Sequence, residues 1–318
     1  MIKNKYGSKL KEDFKQEAPW LFDGPPTIIL NRDNHPILIY QMGKVGSTSV
    51  TFTLKQLGLP NPIYHVHQLT YEGINRTIGE TRERLRKNRK IRHLDDRNKM
   101  YTDLYHKYII RHLKNNRNFR KKIEKNLEMI PWKILTLVRE PVMREVSNFF
   151  SGFHNHPELM DNKGQLLKEK SLRFLEESLV WKFNNPKNWV LTWFDEEFKK
   201  VFGLDVYQFP FSQKKGYTII NSENIRILIV KLEKLNQCFG SAIFEFLGKK
   251  EVKLIDRNVA KKRFYYSTYK YVLDHISLGH DLCQKIYSSK YARHFYTPEE
   301  IDGFVARWTD NPTHKHND

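Results

Sequence analysis

Three short runs dominated by apolar residues, ILIY at 37–40, WKILTLV at 132–138 and IRILIV at 225–230, stand out from a chain that is polar elsewhere. They are too short for helices and rich in Ile, Leu and Val, which predicts buried strands. A fourth stretch, PIYHVHQL at 62–69, alternates apolar and polar positions and predicts a shorter extended segment. Residues 47–58 suit a helix that Gly58 ends, with Pro60 and Pro62 barring its continuation. WKILTLV runs into REPVMREVSNFF, where Pro141 sits in the first turn of the next predicted helix. Further helices are predicted in the aromatic-rich stretch 165–200, at 235–248 up to Gly248, and through 265–308, where Thr297 opens a helix with TPEE. Strands alternating with helices predict an α/β domain with a mostly parallel sheet covered on both faces.

Two segments depart from this alternation. Residues 1–35 read as a leader that packs through Trp20, Leu21 and Phe22 before DGPP turns the chain into the first strand. Residues 76–128, with RERLRKNRKIRH and RHLKNNRNFRKKIEK, read as an inserted pair of basic helices, either a solvated face or a rim for an acidic acceptor. No repeat appears, so the 318 residues are taken as one domain, 1–318, carrying a leader and an insertion.

Composition adds a partner class. With 39% hydrophobic residues, 20 Phe, 16 Tyr and 6 Trp, the chain has material for a core. Its net charge of +19 draws anions: nucleic acid, acidic lipid, polyanionic glycan or a nucleotide with several phosphates. No apolar run approaches the ~20 residues that span a bilayer and the N-terminus lacks a signal-peptide core, so a cytoplasmic protein is expected, with peripheral membrane contact compatible with its charge. Cys238 and Cys283 are expected to be buried thiols. No metal site is expected, because neither cysteine has a second ligand at metal-binding spacing.

The candidate chemistry begins where the first strand ends. Gly43, Lys44, Val45, Gly46, Ser47, Thr48 and Ser49 place flexible backbone, a cation and three hydroxyls at a helix N-terminus, a natural anion site and equally an ordinary capped turn. The loop lacks the lysine-hydroxyl pair with which nucleotide triphosphatases hold magnesium. After the second strong strand comes Arg139, with Ser147 eight residues on. A cation stands where a magnesium-dependent nucleotidase needs a carboxylate, and after the third strand Lys231 precedes Glu233, displaced from the usual place. Two anion-binding elements of this kind point to a ligand with separated phosphates and to transfer chemistry without a metal.

GKVGSTS resembles the 5′-phosphosulfate loop of sulfotransferases that use 3′-phosphoadenosine 5′-phosphosulfate (PAPS), and VREPVMREVS resembles their 3′-phosphate element, the arginine-to-serine spacing included. RNVAKKRFYYSTY and SKYARHFYTPEEIDGF are similar to the C-terminal signature of a bacterial branch of that superfamily, a capsular polysaccharide synthesis family, although KRFYYS lacks the tryptophan of its Asn-Lys-Trp-Tyr-Ser core. The resemblance implies a P-loop-like three-layer sandwich and transfer of a sulfuryl group from PAPS to a carbohydrate hydroxyl, leaving adenosine 3′,5′-bisphosphate (PAP). It implies Lys44 at the leaving-group oxygen, Gly43 to Ser49 around the 5′-phosphate, and Arg139 with Ser147 on the 3′-phosphate. YHVHQL is similar to the His-x-His segment of glycan 2-O-sulfotransferases, which implies His67, then His65, as the base for the acceptor hydroxyl. His154 and His156 are weaker candidates for acceptor contact, and Tyr265 and Tyr266 are expected to fill the core.

The rival readings are an ATP-dependent P-loop kinase and a basic nucleic-acid or polyanion-binding protein. No nucleic-acid motif accompanies the charge, so nucleic acid is not the expected partner. The acceptor sugar and its hydroxyl are not legible in the chain.

Overall fold

The computed structural model describes residues 35–90, 96–153, 156–161, 165–256, 263 and 265–309. The leader up to residue 34, His154 and most of RNVAKKRF lie outside the described residues. The chain is an α/β protein built on a five-stranded sheet of β1 (Ile37–Tyr40), β2 (Ile63–Val66), β3 (Trp132–Val138), β4 (Tyr217–Ser222) and β5 (Ile225–Lys231), in spatial order β2-β1-β3-β5-β4. All pairs are parallel except β4 with β5.

The four parallel strands are the four segments expected from the apolar pattern. Every residue of β1 is fully buried, as a central strand of a parallel sheet requires. β3 lies between β1 and β5, in register with β5 from Trp132 opposite Ile225 to Val138 opposite Lys231. The chain therefore leaves β1, β2, β3 and β5 along one edge, the usual ligand edge of a parallel sheet. β4 was not anticipated. It joins β5 through the two-residue turn Glu223–Asn224, with Glu223 at φ 44°, a positive-φ hairpin made without the Gly that usually announces one.

The first strand feeds α1 (Ser47–Gln56) through the glycine-bearing loop. The basic insertion forms two antiparallel-packed helices, α2 (Tyr71–Lys90) and α3 (Asp96–Asn126), starting a few residues earlier than expected. Its root is pinned by Glu197, which is fully buried and accepts hydrogen bonds from Leu69 N and Thr70 N (3.1 Å each), Tyr40 OH and Thr70 Oγ1. β3 leads into α4 (Pro141–Ser151). Then follow α5 (Lys168–Asn184) and α6 (Trp189–Trp193), the latter continuing through a π-helical turn, Phe194–Lys199, into α7 (Lys200–Phe202). The π turn inserts an extra residue and aims Glu197 at the root of α2.

After the sheet closes come α8 (Leu235–Leu247), α9 (Tyr266–His275), α10 (His280–Tyr287), α11 (Lys290–Phe295) and α12 (Pro298–Thr309). The TPEE sequence folds as a reciprocal cap. Thr297 N donates to Glu300 Oε2 (3.0 Å) and Glu300 N to Thr297 Oγ1 (3.3 Å). Glu300 also receives the fully buried Lys231 Nζ at 2.6 Å, so the tip of β5 is tied to α12. Cys238 and Cys283 are buried free thiols, as expected. Among the described residues no helix is long and apolar enough to cross a membrane.

Candidate active site

The loop between β1 and α1 turns on two residues of left-handed backbone, Lys44 (φ 74°) and Gly46 (φ 87°). Gly46 has a second reason to lack a side chain: a Cβ there would stand 2.5 Å from Leu232 Cδ1. Lys44 has no such freedom, and its conformation is held from outside. Arg139 Nη1 donates to the Lys44 carbonyl (2.8 Å) and Arg144 Nε to the Gly43 carbonyl (3.0 Å). Two guanidiniums thus hold the carbonyls of two successive loop residues. Gly46 is the N-cap of α1. Gly46 brings no side chain of its own to cap the helix and no acidic residue lies in the first turn, so its positive end meets no anion from its own segment. Val45 is fully buried and can offer a ligand only backbone. Lys44, Gly46 and Thr48 are half-buried, while Ser47 and Ser49 are buried.

The corner after β3 is built the other way. Glu140 is the N-cap of α4, its carboxylate accepting from Val142 N (2.8 Å), Met143 N (2.6 Å) and Tyr287 OH. Glu140 N donates to Glu233 Oε1 (2.7 Å), and Tyr296 OH to Glu233 Oε2 (3.2 Å). Tyr291 OH clasps Arg139 on both sides, accepting from its N–H (3.1 Å) and donating to its carbonyl (2.9 Å). Burial raises the Glu140 carboxyl above its ordinary range. Glu233, which follows the third strand, is thus a strut of this corner.

Arg139 of the Arg139–Ser147 pair reaches the loop after β1 through the Lys44 carbonyl. Ser147 is half-buried on α4, six residues and so roughly 9 Å of helix beyond Pro141. Arg144 was missed. It is buried, pairs with Glu145, and Glu145 in turn pairs with Lys182 of α5, so a chain of charges runs from α5 to the loop. The available signal was a second arginine five residues after the first, on the same helix entrance.

The structure places both candidate histidines beside the loop. His65 is buried on β2, with Nε2 2.9 Å from Gln41 Nε2 and Nδ1 3.3 Å from Thr51 Oγ1. His67 stands just past β2, its ring centroid 4.8 Å from that of His65. His67 Nδ1 donates to the Gln41 carbonyl (3.0 Å); since a carbonyl only accepts, the proton sits on Nδ1 and the lone pair on Nε2. Desolvation, reinforced by the charges of Lys44 and Arg144, lowers its pKa to about 4. His112 of α3 joins the group, lowered to about 3 by burial and by His67. His156 instead stands against Phe174 and Glu158, and Tyr265 packs on Phe150 and Phe153 in the second core, as expected.

Fold and site together define an α/β protein with a basic strand-to-helix loop at the C-terminal edge of its sheet and a neutral histidine beside it. Residues 165–297 match a family model described as "Putative capsular polysaccharide synthesis protein". No curated protein and no solved structure matches the chain. The matched stretch covers less than half of the chain and supplies Lys182, Glu233, Tyr287 and Tyr291, the struts behind the Arg139–Arg144 corner. The loop, the histidines and both arginines precede it.

Proposed function

We propose that the chain is a PAPS-dependent sulfotransferase acting on a carbohydrate hydroxyl in capsular or surface polysaccharide assembly, working in the cytoplasm. The observation that carries this reading is the loop itself: an uncapped helix start, a half-buried lysine, and two guanidiniums holding the carbonyls of residues 43 and 44. The residues fit a doubly phosphorylated nucleotide. The amides and hydroxyls of Ser47, Thr48 and Ser49 would hold the 5′ end. On α4 the first amides are taken by Glu140, so the 3′-phosphate would rest on the Arg139 and Ser147 side chains and not on helix amides. The P-loop-like sandwich belongs to the same reading.

PAPS, when bound, supplies the sulfuryl group. Lys44 stabilises the negative charge that grows on the departing phosphate oxygen. His67 accepts the acceptor hydroxyl's proton at Nε2, the nitrogen its hydrogen bond to Gln41 leaves as the base. A nucleotide anion beside it would offset the charges of Lys44 and Arg144, the lesser causes of its lowered pKa, while the larger one, desolvation, stays. The family match over 165–297 supports the polysaccharide setting.

The test is incubation of the protein with labelled PAPS and a panel of glycans in chelator, in parallel with ATP and magnesium. Sulfate transfer in chelator supports the reading; magnesium-dependent ATP turnover with no use of PAPS replaces it with the kinase.

A further inference from the structure

The basic insertion is not uniformly basic. On α3 the described buried positions are His106, His112, Leu113, Asn116, Phe119 and Ile123. At 3.6 residues per turn, positions 107, 111, 114, 118, 121 and 125 fall within about 40° of the line opposite that buried face. They read Lys107, Arg111, Lys114, Asn118, Lys121 and Lys125, and all six are exposed. The spacing is 4-3-4-3-4, so from Lys107 to Lys125 one lane of five cations runs for roughly 27 Å without a carboxylate, Asp103 closing the lane one turn before Lys107. The five make no ion pair with any described residue. Glu124 is turned aside, engaged by Arg120 and Tyr71.

A solvated helix face usually mixes signs, because interspersed charges of opposite sign lower self-repulsion. A lane of one sign costs stability unless something anionic lies along it. Its chemistry narrows the partner. Single-stranded nucleic acid is held by aromatic platforms between cations, and this lane has no aromatic residue. A membrane-surface helix needs its apolar face toward lipid, and the apolar face of α3 is buried against the sheet and α2. That leaves a linear polyanion whose separate anionic groups are met by point charges, and between a duplex phosphate backbone and a polysaccharide the family match over 165–297 favours the polysaccharide.

We propose that the lane on α3 is a docking track for an acidic polysaccharide, one bearing carboxylates or sulfates along its chain. The carbohydrate class rests on the reading given under Proposed function, and the track deepens it by making the acceptor polyanionic. His112, on the opposite, inner side of the same helix, lies within electrostatic reach of His67.

The experiment uses the full chain and measures binding of polygalacturonate and dextran sulfate, with uncharged dextran, a single-stranded oligonucleotide and phosphatidylserine vesicles as comparators. The variant is K107Q/R111Q/K114Q/K121Q/K125Q. A control removes five exposed lysines elsewhere: K187Q/K214Q/K249Q/K250Q/K253Q. The lane variant should lose at least tenfold in affinity for both acidic glycans, with its salt dependence flattened by about three or more in the logarithmic slope, while the control stays within about threefold. The halves K107Q/R111Q/K114Q and K121Q/K125Q, each losing part of the affinity, carry the same comparison should the fivefold variant not fold. Equal loss in the control, unchanged glycan affinity, or a greater loss for the oligonucleotide or the vesicles overturns the proposal. PAP binding is read on the same proteins by calorimetry: no PAP binding in the parent chain sinks the donor assignment and leaves the track to stand or fall on the glycan data.

Discussion

The two strand-to-helix corners that face each other across β1 and β3 have opposite electrostatics. After β1 the helix begins at a glycine with no cap, and the surrounding charge is positive: Lys44 on the loop, Arg139 and Arg144 behind it. After β3 the helix begins at a buried glutamate that takes two amides and a tyrosine hydroxyl. An uncapped helix start leaves donors for a ligand, whereas a capped one uses them to hold the fold. On the reading proposed above the first corner takes the anion, and the second is a mount whose arginines reach across to the carbonyls of Gly43 and Lys44. The stretch that matches the capsular family builds the back of the mount and lays Leu232 against Gly46 at the open corner.

The sharpest way to break this contrast is Lys44→Ala. Transfer from PAPS should fall by roughly 10²–10³-fold, the scale of losing one preorganised charge contact to a transition state, with the melting temperature unchanged. A rate within a few-fold of the parent removes chemistry from the open corner.

At the mount, Glu140→Ala strips a buried cap and leaves two amides and the Tyr287 hydroxyl without their acceptor. Urea unfolding should show a loss of roughly 2–4 kcal/mol, and Glu140→Gln, which keeps one acceptor oxygen, a smaller one. Equal stability in Glu140→Ala would mean that the cap is not what holds α4.

Gly46→Ala probes the loop backbone itself. A Cβ at φ 87° against Leu232 should cost about 1–2 kcal/mol and weaken PAP binding in calorimetry. If PAP binds Gly46→Ala as tightly as the parent, the left-handed turn is not part of the cradle.

The smallest and most gradual effect is on pH. His65, His67 and His112 all have lowered pKa values in the folded chain, to about 4 for His67 and about 3 for His112. In the unfolded chain they take up protons near ~6.5. Their neutral burial therefore stabilises fully above that value, and the contribution is lost as pH falls toward 4, because the unfolded state then binds more protons. Calorimetric melting temperatures should be flat above about pH 7 and decline below about pH 6, and His112→Gln should flatten the decline. An unchanged decline in that variant would assign acid lability to other groups.

Much of the fold was legible because burial on both faces of a parallel sheet demands apolar runs. ILIY, WKILTLV and IRILIV became β1, β3 and β5, and Gly58 and Gly248 adopt the left-handed conformation just past α1 and α8. The edge strand β4 was not legible. It carries no continuous apolar run, and its turn uses Glu223 where a glycine would have been a signal. In the site, the loop and the histidine pair were visible as local spacing, since His65 and His67 alternate out of one strand and remain neighbours in space. The arginine spacing was visible too, but its meaning was not: the grip of Arg139 and Arg144 on the loop joins residues about a hundred positions apart.

The order of residues alone determined where strands, helix ends and the basic insertion fall, because these follow from periodicity and backbone freedom within a few residues. Which helix start begins at a bare glycine and which is sealed by Glu140, and that two guanidiniums take the carbonyls of Gly43 and Lys44, only the tertiary structure decided. Hydrogen bonds and charges at those corners come from segments brought together by the sheet, and no local pattern records who their partners will be.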